Sequence, residues 1–124
     1  MRDATALLAV LHQEAGADVV VPLLPAAIMS AVNWSEVVQK ALARGVVAGS
    51  GMRRDVEATG VSILPFEVGD GEGAARVWQR APRRGLSFGD RACLALAEVR
   101  GGTAVTADRD WAQLGLGIQV LVIR

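Results

Sequence analysis

The stretch Leu86-Ser87-Phe88-Gly89-Asp90-Arg91-Ala92-Cys93-Leu94-Ala95-Leu96-Ala97 most constrains what this chain can fold into. Ser87 and Gly89 signal a turn, and the residues beyond them are apolar on nearly every face. A helix of that kind is packed on more than one side. Asp90 stands at its head, and a buried charge is costly unless something pairs with it. A local reason for the acid exists. Ser87 and Asp90 have capping-box spacing, and an acid in a first helical turn suits the helix dipole. Three other acids hold equivalent places in the chain, and capping alone does not account for the set.

Taken in order, the chain alternates helices and short strands. Asp3 takes an N-cap position ahead of a helix over 4–11. A second helix over 15–24 is ended or kinked by Pro22. A buried strand is expected over 26–29, then a helix over 30–45 with Gly45 as its C-cap. In that helix Asn33 and Glu36 also have capping-box spacing. A helix over 46–59 stops at Gly60, although Gly49 and Gly51 weaken it. A strand over 61–64 ends at Pro65, and a helix over 70–80 is closed by Pro82. The central helix covers 89–100. A strand over 103–106, a helical turn over 108–114 and a β-branched strand over 118–123 complete the chain. This alternation predicts an α/β fold, a three-layer α/β/α sandwich around a central, mainly parallel sheet.

The 124 residues suit a single domain, 1–124, and 52% apolar residues suffice for a sizeable core. The formal net charge is zero, so no global basic field draws the chain to nucleic acid and any such contact must be local. Cys93 is the only cysteine and His12 the only histidine. That excludes a disulfide framework and a cysteine zinc site within one chain, leaves little for a histidine-based triad, and fits a reducing cytoplasm. Met1-Arg2-Asp3 puts an acid inside any would-be leader. The longest uncharged run, 19–35, contains Pro22 and Pro25 and falls short of the ~20 apolar residues a membrane span needs.

In an open parallel sheet the C-terminal ends of the strands, and the helix starts that follow, share one edge where ligands bind. Asp3, Glu36, Asp90 and Asp108 all belong at such positions. Four acids on one rim, with little cationic compensation nearby in sequence, repel one another. A hard divalent cation such as Mg²⁺ or Mn²⁺ removes that cost and needs neither histidine nor cysteine. Bound there, it would activate water and steady charge on a phosphoryl group, which suits a metal-dependent phosphodiesterase.

Four motifs carry a resemblance. They are Asp3-Ala4-Thr5-Ala6-Leu7-Leu8, Ser30-Ala31-Val32-Asn33-Trp34-Ser35-Glu36-Val37, Leu86-Ser87-Phe88-Gly89-Asp90-Arg91-Ala92-Cys93-Leu94-Ala95 and Thr106-Ala107-Asp108-Arg109-Asp110-Trp111. Together and in this order they resemble those of PIN-domain proteins, and specifically the VapC-type toxins of bacterial toxin–antitoxin pairs. The resemblance runs nearly end to end. It implies a Mg²⁺- or Mn²⁺-dependent endoribonuclease, a homodimer held inactive by a cognate antitoxin. It makes Asp3, Glu36, Asp90 and Asp108 the acidic metal-site residues. Thr5, Asn33 and Thr106 become polar neighbours that orient those carboxylates or a bound water. Arg83, Arg84, Arg91 and Arg109 lie near the acidic motifs and are candidate phosphate contacts, set against an ordinary surface role. Trp34, Trp78 and Trp111 are expected in the core or at an interface rather than on bases.

One departure concerns the N-terminus. Family members usually carry a short central strand before the first aspartate, and here only Met1 and Arg2 precede Asp3, so a truncated or upstream-extended strand is expected. Two other readings compete with the toxin. One is a PIN-like binding module without cleavage, and the other is a metal-dependent nuclease acting on DNA or structured flaps. A signalling receiver is disfavoured because the only lysine, Lys40, lies inside a helix. The small size of the domain favours single-stranded RNA loops over a duplex.

Overall fold

The structure is a computed structural model and describes residues 25–47 and 51–123. The helices expected over 4–11 and 15–24, with Asp3, Thr5 and His12, lie outside the described residues, as does any strand ahead of Asp3. What is described is a mixed α/β arrangement of helices and parallel strands. In order it runs β1 (Ile28–Ser30), α1 (Ala31–Ala43), α2 (Met52–Ala58), β2 (Ser62–Leu64), α3 (Val68–Arg80), α4 (Phe88–Arg100), β3 (Thr103–Thr106), a 3-10 turn (Arg109–Gln113) and β4 (Gln119–Val122). Among the described residues no helix is long and apolar enough to cross a membrane.

The strands form two parallel pairs, β1 with β2 and β3 with β4. Met29 faces Ile63 in the first pair, and Val105 faces Leu121 in the second. The pairs share one apolar cluster, in which Met29 and Val61 lie with Val105 and Ile123. A second cluster joins α3 to α4 through Val77, Cys93, Leu94 and Ala97, with Trp111 and Leu116 closing it. Helix α4 contacts α1, β1 and β3 as well as α3, so it is packed on more than one side, as its composition requires. Ala92, Cys93, Leu94, Ala95 and Ala97 are all buried, and small side chains let neighbours approach closely.

Several boundaries differ from the sequence reading. The first strand lies at Ile28–Ser30, later than 26–29. The helix expected over 46–59 shrinks to α2. Gly51, with φ 85, sits at its N-cap in the left-handed region and breaks the helix there. The helix after β1 is capped by Ser30, whose hydroxyl accepts from the Val32 N–H at 3.1 Å. Asn33 and Glu36 are thus not its capping box. Helix α3 starts earlier than expected, at Val68, because Glu67 and Asp70 form the reciprocal capping box. Gly60, with φ +100, marks a close approach: a Cβ there would lie 2.5 Å from the Pro25 Cα. Trp111 is buried as expected, but Trp78 is 54% exposed on α3.

Candidate functional site

The buried stripe of α1 is Asn33, Val37 and Ala41. Glu36 lies one helical turn beyond Asn33, on the flank of that stripe, so the two side chains meet. The Asn33 Nδ2 donates to Glu36 Oε1 at 3.1 Å and to the Gly89 carbonyl of α4 at 2.9 Å. One amide group thus holds the carboxylate and ties α1 to the first turn of α4. Asn33 is 1% exposed, and its Oδ1 is buried without a partner.

The carboxylate of Glu36 rests directly on Gly89. A Cβ at residue 89 would lie 2.1 Å from Oε1 and 2.6 Å from Cδ. Asp90, the next residue, completes the expected capping box. The Ser87 N–H donates to Asp90 Oδ2 at 2.9 Å, and the Asp90 N–H donates to Ser87 Oγ at 3.1 Å. Glu36 and Asp90, far apart in sequence, are thereby brought to one helix start.

Asp108 stands past the end of β3. Its N–H donates to Thr106 Oγ1 at 3.0 Å, and its Oδ1 accepts from the Asp110 N–H at 2.9 Å, capping the 3-10 turn. Asp108 and Asp110 are exposed, whereas Thr106 is fully buried. Thr106→Val keeps the shape and removes the acceptor of the Asp108 N–H. The expected cost is about 1–3 kcal/mol, read by urea unfolding. An unchanged unfolding midpoint would show that the hydroxyl does not fix this corner.

The three acids share a pattern. Each has one oxygen fixed by its own chain, while the other accepts no hydrogen bond among the described residues. Neither of the ion pairs among the described residues, Arg53–Glu57 and Arg80–Glu98, involves them. The donors are hard oxygens, and the orphaned Asn33 Oδ1 beside Glu36 is an acceptor suited to a cation's coordinated water. In chemistry the set fits Mg²⁺ or Mn²⁺. In placement, the described residues supply no group of three ligand-type side chains close enough to hold a metal ion. Asp3, the fourth acid, and Thr5 lie outside them.

The arginines divide. Arg84 donates from Nη2 to the Gln113 carbonyl at 2.7 Å and braces the connection before α4. Arg83 and Arg109 are exposed. Arg91 is half-buried, its guanidinium 5.7 Å from the Phe88 ring centroid. Sequence reasoning missed two contributors, Ser30 as the true cap of α1 and Gly89 as the seat of Glu36. The signal for Gly89 was available: a glycine in the first turn of a helix, where it costs stability, calls for a reason in packing.

A search of curated proteins gives no match. Among solved structures, the crystal structure of PAE2754 from Pyrobaculum aerophilum is similar, with a TM-score of 0.59 and 22% identity over 96% of this chain and 87% of that one. At that identity the likeness speaks for the fold, an α/β arrangement consistent with a PIN-like α/β/α sandwich. The family model for the PIN domain matches residues 1–116, nearly the whole chain. PIN domains are generally metal-dependent nucleases. The chain belongs to the PIN-domain family.

Proposed function

We propose that the chain is a Mg²⁺- or Mn²⁺-dependent endoribonuclease of the VapC toxin type, a cytoplasmic homodimer inhibited by a cognate antitoxin. The observation that carries the nuclease reading is the shared state of Glu36, Asp90 and Asp108. Each is oriented by one oxygen, has the other open, and lacks a cationic partner among the described residues. A carboxylate kept only for its structural bond gains nothing from leaving its second oxygen unpaired, whereas a metal ligand must keep a lone pair free. When bound, the cation supplies an activated water and stabilises charge on the phosphoryl group. The chain's own part is placement. Asn33 holds Glu36 against Gly89, the Ser87 N–H holds Asp90, and the Asp110 N–H holds Asp108. Asp3 is proposed as the fourth ligand, with Thr5 orienting it. The toxin role, the homodimer and the antitoxin rest on the motif resemblance.

One observation favours a second reading, a binding module that does not cleave. Among the described residues no three donors stand close enough for a metal. The purified chain, incubated with end-labelled single-stranded RNA, duplex RNA and DNA, decides between them. The nuclease reading expects single-stranded RNA to be cut in Mg²⁺ or Mn²⁺, the reaction to stop in EDTA, and Asp90→Asn to be inactive. Binding without cleavage in any divalent metal would overturn it in favour of the module. Cleavage of DNA in preference to RNA would overturn the substrate class.

A further inference from the structure

Phe88 has no part in the acid cluster, yet it is placed beside it. It opens α4, immediately before the glycine on which Glu36 rests and two residues before Asp90. The chain has two phenylalanines and no tyrosine, and the two phenylalanines meet here. Phe66 packs against Phe88 edge-to-face, with centroids 5.5 Å apart and planes at 84°. Phe88 is nonetheless 47% exposed. A ring spent on solvent at a helix start contributes little to folding, while Phe66 holds it in one orientation at no cost in further ordering.

Arg91 adds charge to this ring. Its guanidinium lies 5.7 Å from the Phe88 centroid. Its Nε is buried with no acceptor, and no carboxylate among the described residues pairs with it, although Asp90 is its neighbour in sequence. The result is a half-open aromatic ring packed on Phe66, with a cation against it that no carboxylate among the described residues pairs, at the helix start that carries Asp90 and seats Glu36.

We infer that Phe88 and Arg91 form a nucleotide subsite, in which the ring stacks on an unpaired base and the guanidinium takes a phosphate next to the bond being cut. The inference rests on the nuclease reading and deepens it. The chemistry selects a single-stranded nucleic acid over an apolar protein partner for two reasons. A guanidinium with no carboxylate partner among the described residues suits an anion and opposes burial under an apolar face. The open carboxylates nearby repel a phosphate chain, so a local cation is needed to hold the substrate. Stacking on a ring tolerates any base, which fits a subsite that grips strands rather than reads sequence.

The test is binding of a fluorescent single-stranded RNA to the full chain in EDTA, where no cleavage occurs, followed by cleavage kinetics in Mn²⁺. Phe88→Leu keeps apolar bulk and removes the π face. Affinity is expected to fall about 10-fold or more, with KM raised and kcat little changed. Phe88→Trp is expected to restore binding. Arg91→Gln is expected to weaken binding and to lower the salt slope by about one counterion. An unchanged affinity for both Phe88→Leu and Arg91→Gln, with wild-type cleavage intact, overturns the subsite and leaves the nuclease reading standing. A wild-type chain that neither binds nor cuts any nucleic acid overturns both. If Phe88→Leu leaves RNA affinity unchanged but dissociates copies of the chain in sedimentation, the ring belongs to a protein interface and the subsite is wrong.

Discussion

Asp90→Asn is expected to abolish RNA cleavage in saturating Mg²⁺ or Mn²⁺ while the chain stays folded. The substitution separates two roles that one carboxylate holds. Oδ2 accepts the Ser87 N–H at 2.9 Å, and an asparagine oxygen can accept it equally. The reciprocal bond, from the Asp90 N–H to Ser87 Oγ, uses only backbone at this residue and survives. The lost helix-dipole interaction costs about 0.3–1 kcal/mol. Neutralising an anionic ligand is far costlier to the proposed metal, and a loss of at least ~100-fold in cleavage is expected. Three measurements check it together: cleavage rate, thermal midpoint in EDTA, and the rise of that midpoint with added Mn²⁺. Cleavage at the wild-type rate, with contaminating nuclease excluded, would show that Asp90 only caps α4.

The second large effect is expected at a residue with no side chain. Gly89→Ala puts a Cβ 2.1 Å from the present position of Glu36 Oε1, so the carboxylate must leave its seat. Its tie to Asn33 is then stretched or broken. A displacement of about 1 Å at a catalytic group typically costs 10²-fold in rate, and that is the expected loss. Stability should respond oppositely to the usual core substitution, because alanine within a helix is favoured over glycine by roughly 0.5–1 kcal/mol, offsetting the strain. The discriminating experiment is the double variant Gly89→Ala with Glu36→Asp. Shortening the acid by one methylene makes room for the new methyl and is expected to recover part of the activity. If Glu36→Asp deepens the defect instead, the contact between Gly89 and Glu36 is not what matters.

What was legible in the sequence was local. The Ser87–Asp90 box, the burial of α4 and the cap at Asp108 depend on residues within a turn of one another, and the structure has them. The parallel α/β plan was legible because strand and helix periods alternate along the chain. What failed had a rival for the same backbone group. Ser30 took the N-cap in place of Asn33, whose spacing to Glu36 is that of a capping box, and the Asn33 amide binds Glu36 instead. The helix expected over 46–59 lost to the left-handed Gly51. The partnership of Glu36 with Gly89 was illegible because no local pattern encodes a contact between two helices. Trp78 was expected in the core or at an interface, and its half-exposed position on α3 places it outside the core.

The bond from Asn33 to the Gly89 carbonyl spans 56 residues of sequence. Contacts of that separation form only after loop-closure entropy has been spent, and parallel strand pairs add to the delay. Glu36 and Asp90 therefore have no shared location in a partly folded chain, whatever local helix it already contains. Recovery of catalytic competence during refolding should lag behind recovery of helical circular dichroism and coincide with the final cooperative phase. Under the proposed toxin reading this would protect the cell that makes the chain, because intermediates and misfolded copies carry the acids without the centre.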